Sequence, residues 1–131
     1  MNAAEVAKSE MRVFLGSRSQ VRGVRAFVAE VVTSCPVADD VVLLASEVAT
    51  NAVLHTASGR GGTFTVVVVP DIGHVRVEIH DGGSEGAPGV QVQNAPEESG
   101  SGLYLVEKLA TRWGHLGGRD GRVVWFEVEW Q

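Results

Sequence analysis

Three short stretches of this chain carry residue types suited to chemistry rather than to packing. The first runs from Ser46 through Glu47, Val48, Ala49, Thr50, Asn51, Ala52, Val53 and Leu54 to His55, with Glu47, Asn51 and His55 at i, i+4 and i+8. On a helix that spacing makes a single stripe at the border of the apolar face. Ser46, Thr50 and Asn51 are weak helix formers, each costing up to roughly 0.7 kcal/mol against Ala. A polar outer face with a satisfied Asn is one reading of the stripe, and a working edge chosen for something other than helix stability is the other. The second stretch is Val75-Arg76-Val77-Glu78-Ile79-His80-Asp81-Gly82-Gly83. Period-two alternation sends Val75, Val77 and Ile79 inward and puts Asp81 on the same face, so a carboxylate ends an apolar row. An Asp-Gly hairpin turn would need a strand directly after it, and Ser84 onward has no strand pattern. The alternative is an acceptor at the mouth of an apolar pocket, able to take a hydrogen bond from an amino group such as that of adenine, with Gly82 and Gly83 letting a flat ligand approach the backbone. The third stretch, Ser99-Gly100-Ser101-Gly102-Leu103, runs straight into a helical pattern. Free N–H groups at a helix start make a phosphate cradle, while capping by Ser101 explains the same residues without a ligand.

The elements that must hold these residues follow from periodicity. Met11, Val13 and Leu15 alternate with Arg12 and Phe14, a short strand suited to a sheet edge. From Ser19 the spacing turns helical through Val21, Val24, Val28 and Val31, ending before Pro36. A second helix opens within residues 36–39, takes Asp39 and Asp40 as its acidic first turn, and reaches His55 with Val41, Leu44, Ala45, Val48 and Ala52 on one side. After a Gly-rich turn at 58–62, residues 63–69 and 75–81 read as an antiparallel pair of β-branched strands. Residues 84–101 hold Gly, Pro, Gln, Asn and Glu without a sustained period, as a loop that folds over a site would. Leu103, Val106, Leu109, Ala110 and Trp113 predict a third helix stopped by Gly114. The chain closes in a hairpin turning at 119–121, whose last strand puts Val124, Phe126 and Val128 on one face and Val123 and Trp125 on the other.

Composition bounds the possibilities. At 131 residues the chain fits one domain, 1–131. A net charge of -5 has the wrong sign for coating nucleic acid or an anionic membrane. The longest apolar run, around residues 66–70, is far short of the ~20 residues needed to span a bilayer, and the first 17 residues hold no apolar run of signal-peptide length. With a single cysteine, Cys35, there is no intramolecular disulfide, and the expected location is the cytoplasm. The only lysines, Lys8 and Lys108, follow Ala7 and Glu107, so the Gly-Lys-Ser/Thr of a P-loop is absent and a nucleotide must be held another way. His74, His80 and His115 show no metal-ligand spacing.

Taken in order, the helix with Glu47 and Asn51, the strand ending Asp81-x-Gly83, the loop, and Gly100-x-Gly102-Leu103 opening a helix resemble the N box and the two glycine boxes of the GHKL ATPase superfamily. The stretch from Ser46 to His55, and that from Gly102 to Arg112-Trp113-Gly114, look most like the small stand-alone anti-sigma-factor serine kinases of the RsbW type. The resemblance covers the chain from the Val13 strand through Trp125, without the dimerisation helices of a sensor histidine kinase.

That resemblance implies an α/β two-layer sandwich of the Bergerat ATP-binding type, with a mixed, mostly antiparallel sheet and the helices on one face. It implies ATP and Mg²⁺ as cofactors: Asn51 would coordinate Mg²⁺, Glu47 would be the catalytic carboxylate, Asp81 would accept the adenine amino hydrogen and Gly83 would face the base. Gly100, Ser101, Gly102 and Leu103 would offer backbone N–H groups to the phosphates, beneath an ATP lid at 84–101. The chain departs from the family pattern at the last hairpin, where many relatives carry a Thr near the adenine and this one has Val123. The implied partners are an alternative sigma factor and an anti-anti-sigma protein of the STAS fold whose serine accepts the phosphate. A homodimer is compatible with the family, while nucleic acid and membrane are not expected partners. Two other classes remain to be separated from the kinase: a nucleotide-dependent binding module without phosphotransfer, and an interaction domain that has lost its nucleotide, against which Glu47, Asn51 and Asp81 argue.

Overall fold

The computed structural model of the chain describes residues 8–55, 61–83 and 101–130. The expected lid at 84–101, apart from the backbone of Ser101, and the turn at 58–62 up to residue 60 lie outside the described residues, as does Gly100. In chain order the elements are β1 (Glu10–Leu15), a 3-10 turn (Arg18–Gln20), α1 (Val21–Val31), α2 (Ala38–His55), β2 (Thr63–Asp71), β3 (His74–Asp81), α3 (Ser101–Leu109), β4 (Arg112–Gly117) and β5 (Arg122–Glu129). The strands form one sheet in the order β1-β2-β3-β5-β4, and each of these neighbouring pairs is antiparallel.

The helices follow their apolar spacing. Val21, Val24, Phe27 and Val28 of α1 are buried, and Pro36 separates this helix from α2, whose first turn carries Asp39 and Asp40 at the positive end of the helix dipole. Val41, Leu44, Ala45, Val48 and Ala52 of α2 reach the core as their periodicity predicts. Leu103 and Val106 of α3 join them. These side chains meet the inward rows of the sheet: Phe64, Val66 and Val68 of β2, Val75, Val77 and Ile79 of β3, and Val124, Phe126 and Val128 of β5. The result is an α/β sandwich with its core between one sheet face and the helix layer.

The alternation in β1 leaves open which row faces inward, and the structure decides it. In β1 it is Phe14 that turns inward, while Met11, Val13 and Leu15 are exposed. The Phe14 ring stacks on Phe64 at 5.6 Å between centroids and tilts against Phe27 at 6.1 Å. One buried aromatic ring removes more apolar surface from water than an aliphatic side chain on an edge strand, and Arg12 on the same face covers Phe27 with its guanidinium 4.8 Å from the ring centroid. The strand does lie at the sheet edge.

One expectation is corrected: the third helix ends at Leu109, so that Trp113 and Gly114 belong to strand β4. The Ala110 N–H closes the last helical turn on Val106, and the Thr111 N–H already bonds to the Glu127 carbonyl of β5. Trp113 then pairs with Phe126 and Gly114 with Trp125. Helical spacing from Leu103 to Trp113 is a local signal, and the ladder offered by β5 outweighs it.

The outer sheet face carries an ion-pair lattice. Arg76 bonds Glu78 at 2.8 Å and Glu127 at 2.9 Å, Arg112 bonds Glu127 at 2.9 Å and also reaches Glu129, and His80 and His74 pair with Glu78 and Glu127 at 2.9 and 3.4 Å. The Arg76 guanidinium also lies 4.3 Å from the centre of the Trp125 ring. Burial alone would push the Glu78 and Glu127 carboxyls up, but the donors around them outweigh it and hold both below the usual range.

Candidate functional site

The α2 stripe is built as its residue types suggest, with one refinement. Ser46 is buried and its hydroxyl donates to the Leu43 carbonyl at 2.8 Å, and the Thr50 hydroxyl donates to the Ser46 carbonyl at 2.8 Å. These two weak helix formers therefore satisfy themselves on their own helix. Glu47 and Asn51, one turn apart, are half-buried, and neither side chain has a hydrogen-bond partner among the described residues. His55, the last of the stripe, is exposed at the end of α2. Helix α2 packs against α1, α3 and strand β3, so the stripe belongs to the same packed unit as the strand that ends in Asp81 and the helix that begins at Ser101.

At the end of β3 the apolar row does close on a carboxylate: Val75, Val77 and Ile79 are fully buried, and the Asp81 side chain beside them is 0% exposed. It is not alone. Arg122, the first residue of β5 and the register partner of Asp81, donates from Nε and Nη2 to Asp81 Oδ2 at 3.2 and 3.0 Å, and its own side chain is only 2% exposed. The Gly83 N–H donates to Asp81 Oδ1 at 2.8 Å. Val123, where the family pattern locates the departure from Thr, points to the outer face between His80 and Leu116. The inward neighbour of Asp81 is Arg122, which the sequence reading did not single out. The signal for it was present: Val124, Phe126 and Val128 define an inward parity that, extended by two residues, includes Arg122.

Gly83 has a positive φ of 87°, and a Cβ there would stand 2.3 Å from the Gly118 carbonyl oxygen and 2.7 Å from the Gly121 nitrogen. The β4–β5 turn thus fills the side where a side chain would be, which requires glycine at this position. The turn in this way fixes the Gly83 backbone that bonds to Asp81. Helix α3 begins at Ser101, so its first N–H groups, including those of Gly102 and Leu103, lie at the positive end of the helix, with the Leu103 side chain in the core.

Chemically, α2 carries a carboxylate and an amide without hydrogen-bond partners among the described residues, and the elements packed on it supply a buried carboxylate at a strand end and a helix N-terminus. Among the described residues no group of three His, Cys, Asp or Glu side chains stands ready to hold a metal. A lone Asn oxygen does suit Mg²⁺, which commonly takes one or two protein ligands and completes its shell with water and phosphate oxygens. Asp81 is enclosed by Arg122 and the Gly83 N–H, so its carboxylate is not open to a ligand in this arrangement. The residues that fit a magnesium-bound phosphate group are therefore those of α2 and the start of α3.

The model of the histidine kinase-like ATPase domain matches residues 15–128, and the chain belongs to that family. The structure is similar to the crystal structure of the RsbU and RsbW domains of Rv1364c from Mycobacterium tuberculosis, with a TM-score of 0.65 and 21% sequence identity over 92% of this chain. The match spans 32% of that longer chain. No curated protein matches the sequence. No helix among the described residues is long and apolar enough to cross a membrane.

Proposed function

We propose that the chain is an ATP-binding anti-sigma regulator that acts as a protein serine kinase on a STAS-type anti-anti-sigma partner and binds an alternative sigma factor. The observation that carries this reading is the Glu47–Asn51 pair: two half-buried polar side chains one helical turn apart, neither used by the fold among the described residues, in a chain of the histidine kinase-like ATPase family. The fold likeness to a chain with RsbU and RsbW domains supports the partner-switching context.

When bound, ATP with Mg²⁺ supplies the phosphoryl group. Asn51 would hold the metal through its amide oxygen, and the Glu47 carboxylate would take the proton from the attacking serine hydroxyl. The role that the resemblance implies for Asp81, accepting from the adenine amino group with Gly83 beside the base, would require its carboxylate to part from Arg122. Backbone N–H groups of Gly100, Ser101, Gly102 and Leu103 would face the phosphates. Incubating the protein with Mg-ATP and candidate STAS proteins, then measuring phosphoserine by mass, tests the reading. Phosphate transfer to one of them supports it, and none with any of them overturns the kinase.

The second reading is a nucleotide-dependent binding module without phosphotransfer. It is favoured by the buried Asp81–Arg122 pair, which already uses one of the two carboxylate oxygens that a tightly binding base pocket would have available. Inhibition of a sigma factor that depends on nucleotide, with no phosphoserine formed, is its signature.

A further inference from the structure

We infer that the site holds its ligand by the magnesium-bound phosphates and is indifferent to the base, so that a nucleoside triphosphate of either purine, or a bare polyphosphate, is a ligand of this chain. The inference deepens the nucleotide reading and rests on it, with Asn51 and the start of α3 as the groups that meet magnesium and phosphate.

A site tells one base from another by polar groups that the wrong base leaves unpaired. At the end of β3 such groups exist, but they are already spent on one another. The Asp81 side chain is 0% exposed, its Oδ2 accepts from Arg122 Nε and Nη2 at 3.2 and 3.0 Å, and its Oδ1 accepts from the Gly83 N–H at 2.8 Å. Gly83 is itself buried, and its single donor is the one bound to Asp81. Val123, next along β5, brings no polar side-chain atom and points to the outer face. To read a base, Asp81 would exchange two charge-assisted bonds from a guanidinium for one bond from a neutral amino group, and Arg122, 2% exposed, would be left buried and unpaired. That exchange is uphill for adenine and guanine alike, so neither is selected.

The closure is built into the fold. Arg122 stands across the β3–β5 ladder from Asp81, and the β4–β5 turn packs on Gly83 so closely that a Cβ there would be 2.3 Å from the Gly118 carbonyl oxygen. The helical end of the site is in the opposite condition. Glu47 and Asn51 are half-buried and without hydrogen-bond partners among the described residues, and the first N–H groups of α3 lie at the positive end of its dipole. Magnesium takes few protein ligands and fills its shell from water and phosphate oxygens, and helix N–H groups bind phosphate. Those partners are common to every nucleotide, and none of them reports the base.

The test is isothermal titration of the full chain with ATP, GTP and tripolyphosphate, each with Mg²⁺, and with adenosine alone. The dissociation constants for ATP and GTP are expected to agree within about fivefold, the least that one specific base contact supplies, while tripolyphosphate binds and adenosine gives no measurable heat. Asn51→Ala, with thermal unfolding as the check on folding, is expected to weaken ATP and GTP by the same factor. A larger preference for ATP, binding of adenosine, or failure of tripolyphosphate to bind where ATP does overturns the proposal and leaves the nucleotide reading standing, as does an Asn51→Ala variant that loses only one of the two nucleotides. A natural protein that binds none of the four overturns the nucleotide reading and this proposal with it.

Discussion

Gly114 and Trp125 face each other across the β4–β5 ladder, and the indole lies where a side chain at position 114 would stand: a Cβ there would be 2.9 Å from Trp125 Cζ2. The ring is further held by the Arg76 guanidinium, 4.3 Å from its centre and itself tied to Glu78 and Glu127. Gly114→Ala should force the indole off this arrangement and cost about 1–3 kcal/mol, the usual scale of overpacking. Urea denaturation measures the loss, and tryptophan fluorescence of the folded variant should report the displaced ring. An unchanged midpoint would show that the ring yields freely.

Asp81→Asn should act on stability before it acts on any ligand. It removes the negative partner of a buried guanidinium, and breaking such a pair from one side costs about 3–5 kcal/mol. Arg122→Met strands the opposite charge and should cost a similar amount. Replacing both residues together should cost less than the sum of the two single changes, a coupling that a double-mutant cycle by chemical denaturation reads directly. Additive losses would contradict the ion pair.

Acid sensitivity should trace to the outer face of the sheet. Glu78 and Glu127 are held below their ordinary range in the folded protein, so each adds stability that is fully present above the unfolded carboxyl value of about 4.3 and is lost as pH falls through the depressed folded value. Glu127→Gln should lower stability at pH 7 by about 1–3 kcal/mol, since it removes the charge and one of the two acceptor oxygens that Arg76, Arg112 and His74 share. The gap between variant and natural protein should close as pH falls through the depressed value of Glu127, below which the glutamate is itself neutral. A gap that stays constant from neutral to acid would mean that the charge of Glu127 is irrelevant.

Kinase and binding module are separated by two variants on one helix. If Glu47 takes the serine proton, Glu47→Ala should keep most of the nucleotide affinity and lose phosphotransfer by about 10²–10⁴-fold, the scale of general-base catalysis. Asn51→Ala should reduce binding and transfer together, because a metal held by that amide serves both. Isothermal titration and single-turnover phosphotransfer give the two readouts. Equal loss of affinity in both variants would assign Glu47 to binding instead.

What the sequence determined by itself is whatever local periodicity encodes. The α1 and α2 faces, the β2–β3 pair, the inward parity of Val124, Phe126 and Val128, and the apolar row that ends in Asp81 all follow from neighbours within a few positions of each other. The placement of Glu47 and Asn51 one turn apart on α2 was legible for the same reason, and the described part of α3 begins at Ser101, within the stretch where the sequence runs into a helix. Three matters were decided only by tertiary contacts. Phe14 rather than Met11, Val13 and Leu15 faces the core because Phe27 and Phe64, far along the chain, supply its partners. Trp113 and Gly114 leave the helical pattern because β5 offers a ladder and a place beside Trp125. Arg122 meets Asp81 because the β3–β5 register aligns residues 41 positions apart. Periodicity reveals which face a residue takes on its own strand, but register is a relation between two strands, and it is the register that turned an isolated carboxylate into half of a buried ion pair.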